Sequence, residues 1–173
     1  MPASGPGPTG ALPDRTIPID LWHGTSAEGA AGVRGGVRVD VNSAHPGRRQ
    51  WGEGFYLGDS AAIGEEYASQ TASPTVLRFR PVVLSELGEV LDLTTGVDAS
   101  TWDAWLDGPI ADGLPMTRRT IWDSNPEGRG QLFNAFLAQI GRQPDVVIAP
   151  HPPGRQVIVR TQRAADILNA NLP

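Results

Sequence analysis

Phe55–Gly58 is a short apolar run bounded by glycine on both sides, and it passes at once into Asp59 and Ser60, either of which can cap a helix reaching about Ser69. A glycine-flanked strand running straight into a helix implies a fold assembled from brief elements, and the rest of the chain agrees. Ile19–His23 reads as a strand ending in a turn at His-Gly-Thr. Ser26 can cap a short helix over residues 27–33, ended by Gly35–Gly36. Val37, Val39 and Val41 alternate with polar residues and predict a half-buried strand, followed by a polar loop over residues 42–50. Further strands are expected over Pro74–Val83, Val90–Leu93, Asp145–Ala149 and Gln156–Arg160. An amphipathic helix is expected over Glu127–Ile140, and a closing helix capped by Thr161. Asp98–Asp123 carries Trp102, Trp105 and Trp122 and reads as short helices over one end of the core. The sum is a mixed α+β domain.

Glycine (21) and proline (16) are abundant in the 173 residues, so much of the chain must be turns and shaped loops. Part of that excess lies in the first fourteen residues, which have no apolar period. Residues 1–16 are therefore expected to be a disordered leader and residues 17–173 a single domain. A net charge of −5 and a pI near 5.1 argue against a broad basic face for nucleic acid, whose binding comes largely from phosphate neutralisation. The basic residues Arg48–Arg49, Arg78, Arg80 and Arg118–Arg119 read as solvated surface, although the first pair could touch a phosphate. Cysteine is absent, which excludes disulfides and thiolate metal sites and suits cytoplasmic folding. Three histidines, His23, His45 and His151, have no metal-ligand spacing, so no metal is expected. No run approaches the ~20 apolar residues needed to span a membrane, and no Gly-x-Ser-x-Gly turn or phosphate-cradling loop is present.

Two segments carry chemistry. In Leu21-Trp-His23-Gly24-Thr25, a histidine at a strand end can present its ring while the glycine lets a ligand approach bare backbone. A histidine of this kind is more often structural. The second segment runs from Trp51 through Gly-Glu-Gly-Phe-Tyr56 to Tyr67, and Tyr56 and Tyr67 are the chain's only tyrosines. Two aromatic faces can hold a flat cationic ring by stacking and cation–π attraction.

Taken together, His23-Gly24-Thr25, Gly-Glu-Gly-Phe-Tyr56 and Tyr67 eleven residues later resemble the diphtheria-toxin and poly(ADP-ribose) polymerase branch of the ADP-ribosyltransferase superfamily. The resemblance covers about Ile19–Ser69 and Gly154–Leu168. It implies a split β-sandwich of two small twisted sheets with flanking helices, and NAD as substrate. It further implies that His23 bonds the adenine-side ribose, that Gly24 bonds the nicotinamide carboxamide through its backbone beside Thr25, and that Tyr56 and Tyr67 sandwich the nicotinamide. The family places a glutamate near the start of a late strand; here that residue is Gln156. A glutamine amide can bond a ribose hydroxyl but cannot take a proton at neutral pH. A plainer reading makes Gln156 an exposed polar strand end. Gly64 also departs from the serine of the eukaryotic polymerases. Glu53, Glu65, Glu66 and Glu127 are alternative carboxylates, and no sequence argument selects one.

The resemblance therefore implies a mono-ADP-ribosyltransferase or NAD glycohydrolase, with Gln156, His23 and Tyr56 as the catalytic set. It also implies a toxin or effector setting in the cytoplasm of its own or a target cell, with an antitoxin or immunity protein as partner and a protein or nucleic-acid acceptor. The competing readings are a non-catalytic NAD or ADP-ribose binding module and, with less support, an RNA 2′-phosphotransferase, whose pocket arginines and second histidine have no counterpart that the sequence places.

Overall fold

The computed structural model describes residues 15–39 and 50–172. Of the leader expected over residues 1–16 only Arg15 and Thr16 are described, and Val41, His45 and the Arg48–Arg49 pair also lie outside these residues. Arg15 is tied to the domain: its carbonyl accepts from Ser85 N, and its guanidinium lies 3.8 Å from the Asp92 carboxylate.

The strands are β1 (Ile19–Ser26), β2 (Phe55–Gly58), β3 (Pro74–Val82), β4 (Val90–Asp92), β5 (Val146–His151) and β6 (Gly154–Val159). The helices are α1 (Ala27–Arg34), α2 (Ala61–Ala68), α3 (Gly96–Leu106), α4 (Arg118–Ser124), α5 (Arg129–Ile140) and α6 (Gln162–Leu168). Capping chemistry sets several of the boundaries. Ser26 accepts from Gly29 N at 3.0 Å and Thr161 from Ala164 N at 3.2 Å, so each opens its helix as its sequence position predicts. The helix expected from Glu127 starts at Arg129, because Pro126–Gly128, capped by Asn125, first form a separate turn of 3₁₀ helix.

Among the described residues of the strand expected over Val37–Val41, residues 37–39, no strand forms. Val37 and Val39 are buried in the core, but their backbone amides bond to side chains, Asn169 Oδ1 at 2.7 Å and Gln162 Oε1 at 3.1 Å. The alternation reports burial beneath the C-terminal helical segment rather than strand pairing.

The fold is α+β, with one six-stranded mixed sheet in the order β3-β1-β2-β6-β5-β4; only the β4–β5 pair is parallel. β1 and β2 meet through a single pair, Trp22 with Gly58, whereas β1 and β3 pair along most of their length. The two small sheets of the split sandwich that the family resemblance implied are instead one continuous sheet, whose weakest join, or seam, is the single β1–β2 pair between β3-β1 and β2-β6-β5-β4. Both faces are covered. On one, Leu21, Phe55, Leu57, Phe79, Ile148 and Val157 pack with Ala164 and Leu168 of α6. On the other, Val147, Ala149 and Ile158 pack against Trp51, Trp102, Phe133 and Phe136. Alternation along β5 and β6 sends neighbouring residues to opposite cores.

Helix α2 lies on the second face, on a floor of glycines. A Cβ on Gly24 would stand 1.9 Å from the Gly64 carbonyl oxygen and 2.7 Å from Ala68 N. A Cβ on Gly58 would stand 2.6 Å from Ile63 Cβ. Close approach of helix to sheet therefore requires glycine on both surfaces. Gly24→Ala should destabilise the domain by about 2 kcal/mol or more, because the obstructing atoms are backbone and cannot rotate away. Urea unfolding measures this; an unchanged midpoint would show that α2 is not seated on β1 in this way.

Candidate functional site

The residues singled out in the sequence fall around the seam and under α2. β2 sends Phe55 and Leu57 to one core and Tyr56 to the other. The Tyr56 hydroxyl donates to Gly52 O at 2.7 Å and accepts from Trp51 N at 3.0 Å, so the tight Trp51–Gly52 turn grips the end of its ring. Gly52 adopts φ +79°, a conformation that disfavours a side chain.

Gln156 is fully buried, which overturns its reading as an exposed strand end. It lies on β6 between Gly58 of β2 and Ala149 of β5. Its Oε1 accepts from Trp51 Nε1 at 3.0 Å and Gln50 Nε2 at 3.2 Å, and its Nε2 donates to the Tyr67 hydroxyl. The indole N–H is a donor only, so it fixes the amide: oxygen toward Trp51, NH₂ toward Tyr67. Tyr67 therefore receives a hydrogen bond from Gln156 and turns its own proton elsewhere. Gln50 is held in turn by Arg129, whose Nη1 donates to Gln50 Oε1 at 3.1 Å and whose Nε donates to Trp122 O at 2.6 Å.

His23 reaches the seam from the Phe55 side. Its ring stacks on Phe55 with centroids 4.2 Å apart, and its Nδ1 lies 2.7 Å from Tyr56 O. A carbonyl only accepts, so Nδ1 carries the proton and Nε2 the lone pair. Burial pushes the imidazole below its ordinary range, and the bond to Tyr56 O offsets only part of this. A side chain thus bridges β1 and β2 where strand pairing runs out. Gly24 lies beneath α2, so packing alone accounts for its lack of a side chain. Thr25 points elsewhere: a Cβ on Gly29 of α1 would stand 2.1 Å from Thr25 Oγ1.

Two features escape the sequence reading. Asp59 clamps the start of α2 to β6, its Oδ1 accepting from Arg155 N at 2.8 Å and its Oδ2 from Arg155 Nε at 2.7 Å. His151, at the end of β5, packs its ring against Tyr67 at 5.6 Å and places Nε2 3.0 Å from Glu66 Oε2. Metal spacing is the wrong test for this histidine; its signal is a place in a hairpin opposite a glycine. A hollow of about 540 Å³ lies away from these residues, lined by Asn134, Arg142, Gln143, Arg160 and Thr161 among others. Among the described residues no group of three or more His, Asp or Glu side chains converges as a metal site, and no helix is long and apolar enough to cross a membrane.

No protein-family model and no curated protein matches the chain. Among solved structures, the MbcT–MbcA toxin–antitoxin complex of M. tuberculosis contains a similar chain, at 17% identity and a TM-score of 0.42, covering 86% of this chain and 80% of that one.

Gln156→Ala leaves the Trp51 indole N–H without its partner in a dry site and should cost about 1–3 kcal/mol in urea unfolding; a loss well below that range would mean that water or another acceptor replaces the amide. His23 binds a proton less readily when folded than when unfolded. Stability should therefore fall as pH drops below the ordinary value of 6.5, where the unfolded chain takes up the proton first, and level off once pH passes below the folded value. In His23→Asn, whose amide can still donate to Tyr56 O, that component of the pH slope should vanish. An identical slope in both proteins would place the effect on another group.

Proposed function

We propose that this protein binds NAD and transfers or hydrolyses its ADP-ribose. The observation that carries the reading is a chain of hydrogen bonds. His23 bonds Tyr56 O, the Tyr56 hydroxyl bonds Trp51 N, the Trp51 indole bonds Gln156, and Gln156 bonds Tyr67. Four residues drawn from β1, β2, α2 and β6 are thereby joined at one seam. They are the four side chains to which the family resemblance attaches NAD.

In this reading Tyr56 and Tyr67 offer aromatic surface to the cationic nicotinamide, and the neutral His23 offers Nε2 to a ribose hydroxyl. Cleavage of the nicotinamide–ribose bond builds oxocarbenium character, and the protein holds the dinucleotide while that charge develops. Gln156, committed at both ends of its amide, orients Tyr67 and Trp51 rather than moving a proton. The setting that goes with this chemistry is an enzymatic toxin controlled by an antitoxin partner, acting on a macromolecular acceptor or on water. The complete burial of Gln156 also favours a second reading, a module that binds NAD without turning it over.

Incubating the purified chain with NAD, with and without cell lysate, separates the two. Nicotinamide release in buffer indicates hydrolysis, and release only with lysate indicates transfer. Measurable NAD binding with no release in either arm leaves the binding module. Tyr67→Ala should weaken NAD binding about 10-fold, from ~1.5 kcal/mol of lost ring contact. Unaltered affinity in a folded variant would place the pocket elsewhere.

A further inference from the structure

Gln156 has no basic atom, so a transfer reaction at this seam needs another proton acceptor. Resting on the NAD reading above, we propose that His151, oriented by Glu66, is the general base that deprotonates the attacking hydroxyl or water.

The hairpin register makes the case. In the β5–β6 pair, His151 stands opposite Gly154 and Ala149 opposite Gln156. Directly opposed residues share a face, and a residue's diagonal neighbour two positions along lies about 7–8 Å away. His151 and Gln156 are therefore adjacent on the face that also carries Tyr56. Gly154 contributes no side chain opposite His151, and the imidazole packs against the Tyr67 ring. It is partly sheltered, with its side chain 17% exposed.

The Glu66 contact decides how the ring works. A carboxylate on Nε2 draws the proton to that nitrogen and leaves the lone pair on Nδ1. The other titratable groups around His151 are committed or unsuited. Asp59 is bound to Arg155 through both oxygens. The Tyr67 hydroxyl accepts from Gln156 Nε2. His23 reaches the seam from the opposite face against Phe55 and already donates to Tyr56 O.

A lone pair on the acceptor oxygen forms a bond to C1′ of the nicotinamide ribose as the N-glycosidic bond breaks. The electrons of that bond return to the ring nitrogen and neutralise the pyridinium. The acceptor proton passes to His151 Nδ1, and the Glu66 carboxylate stabilises the resulting imidazolium.

The test uses the full chain, in whichever arm, buffer or lysate, the wild type releases nicotinamide, with rates followed between about pH 5 and 8. His151→Gln keeps an N–H toward Glu66 but has no basic nitrogen. It should lower kcat about 100-fold or more, with KM for NAD nearly unchanged, and should abolish the acidic limb of the profile. Glu66→Gln removes the charge that stabilises the imidazolium and should lower kcat by less than His151→Gln does, with KM for NAD nearly unchanged. NAD binding and thermal unfolding of each variant establish that it is folded. Release by the wild type with kcat and pH profile unchanged in His151→Gln overturns the proposal and leaves the transferase reading standing. Absence of release by the wild type overturns the transferase reading, and this proposal with it.

Discussion

Helix α2 can stand where it does only because glycines open the surface beneath it. Gly24 on β1 and Gly58 on β2 lie under it, and Gly64 is the helix's own answering gap. Gly154 on β6 extends the floor, since a Cβ there would stand 2.4 Å from Asp59 Oδ1 and 3.2 Å from Ile63 Cδ1. This close seat lets a helix of only eight residues bring Glu66 and Tyr67 down to the sheet beside Gln156 and His151. The Asp59–Arg155 clamp then locks the start of the helix to the strand that carries Gln156. Without that seat the tyrosine, the amide and the imidazole would have no reason to meet.

Gln156 organises what lies below. Its amide is fixed by a donor that cannot reverse, the Trp51 indole, and it passes that polarity on to Tyr67. Trp51 is itself wedged against Trp102, Trp122 and Phe133, with centroids 5.7, 4.8 and 5.2 Å away. The polar network therefore takes its rigidity from the aromatic core under α3, α4 and α5. A carboxylate at position 156 would suit the donors that face it, but a neutral amide avoids burying a charge. Position 156 therefore holds geometry, and in the proposed reaction the acid–base work falls to a neighbour closer to solvent.

Much of this architecture is legible in the sequence where the deciding chemistry is local. The glycine-bounded Phe55–Gly58 strand, the Ser26 and Thr161 caps and the apolar period of α5 all announce themselves within a few residues. What escapes is non-local. The partner that buries Gln156 is Trp51, 105 residues away, and no periodicity marks that pairing. Val37 and Val39 alternate like a strand, yet the groups that satisfy their amides come from Gln162 and Asn169 near the other end of the chain. His151 looks idle until the hairpin register sets it diagonally from Gln156. Gly24 shows the reverse difficulty: one residue type serves both a ligand contact and a helix crossing, and the packing that separates the two appears only in three dimensions.

An NAD pocket at the seam has a direct spectroscopic consequence, because the Trp51 indole N–H stands at the junction of Tyr56 and Gln156. In ¹⁵N-labelled protein titrated with NAD, the Trp51 indole resonance should move saturably, while that of Trp105, stacked under Arg118 on α3, should stay in place. A Trp51 resonance that does not move at NAD concentrations well above those of cells, or saturable movement confined to other indoles, would contradict an NAD site built on Tyr56, Gln156 and Tyr67.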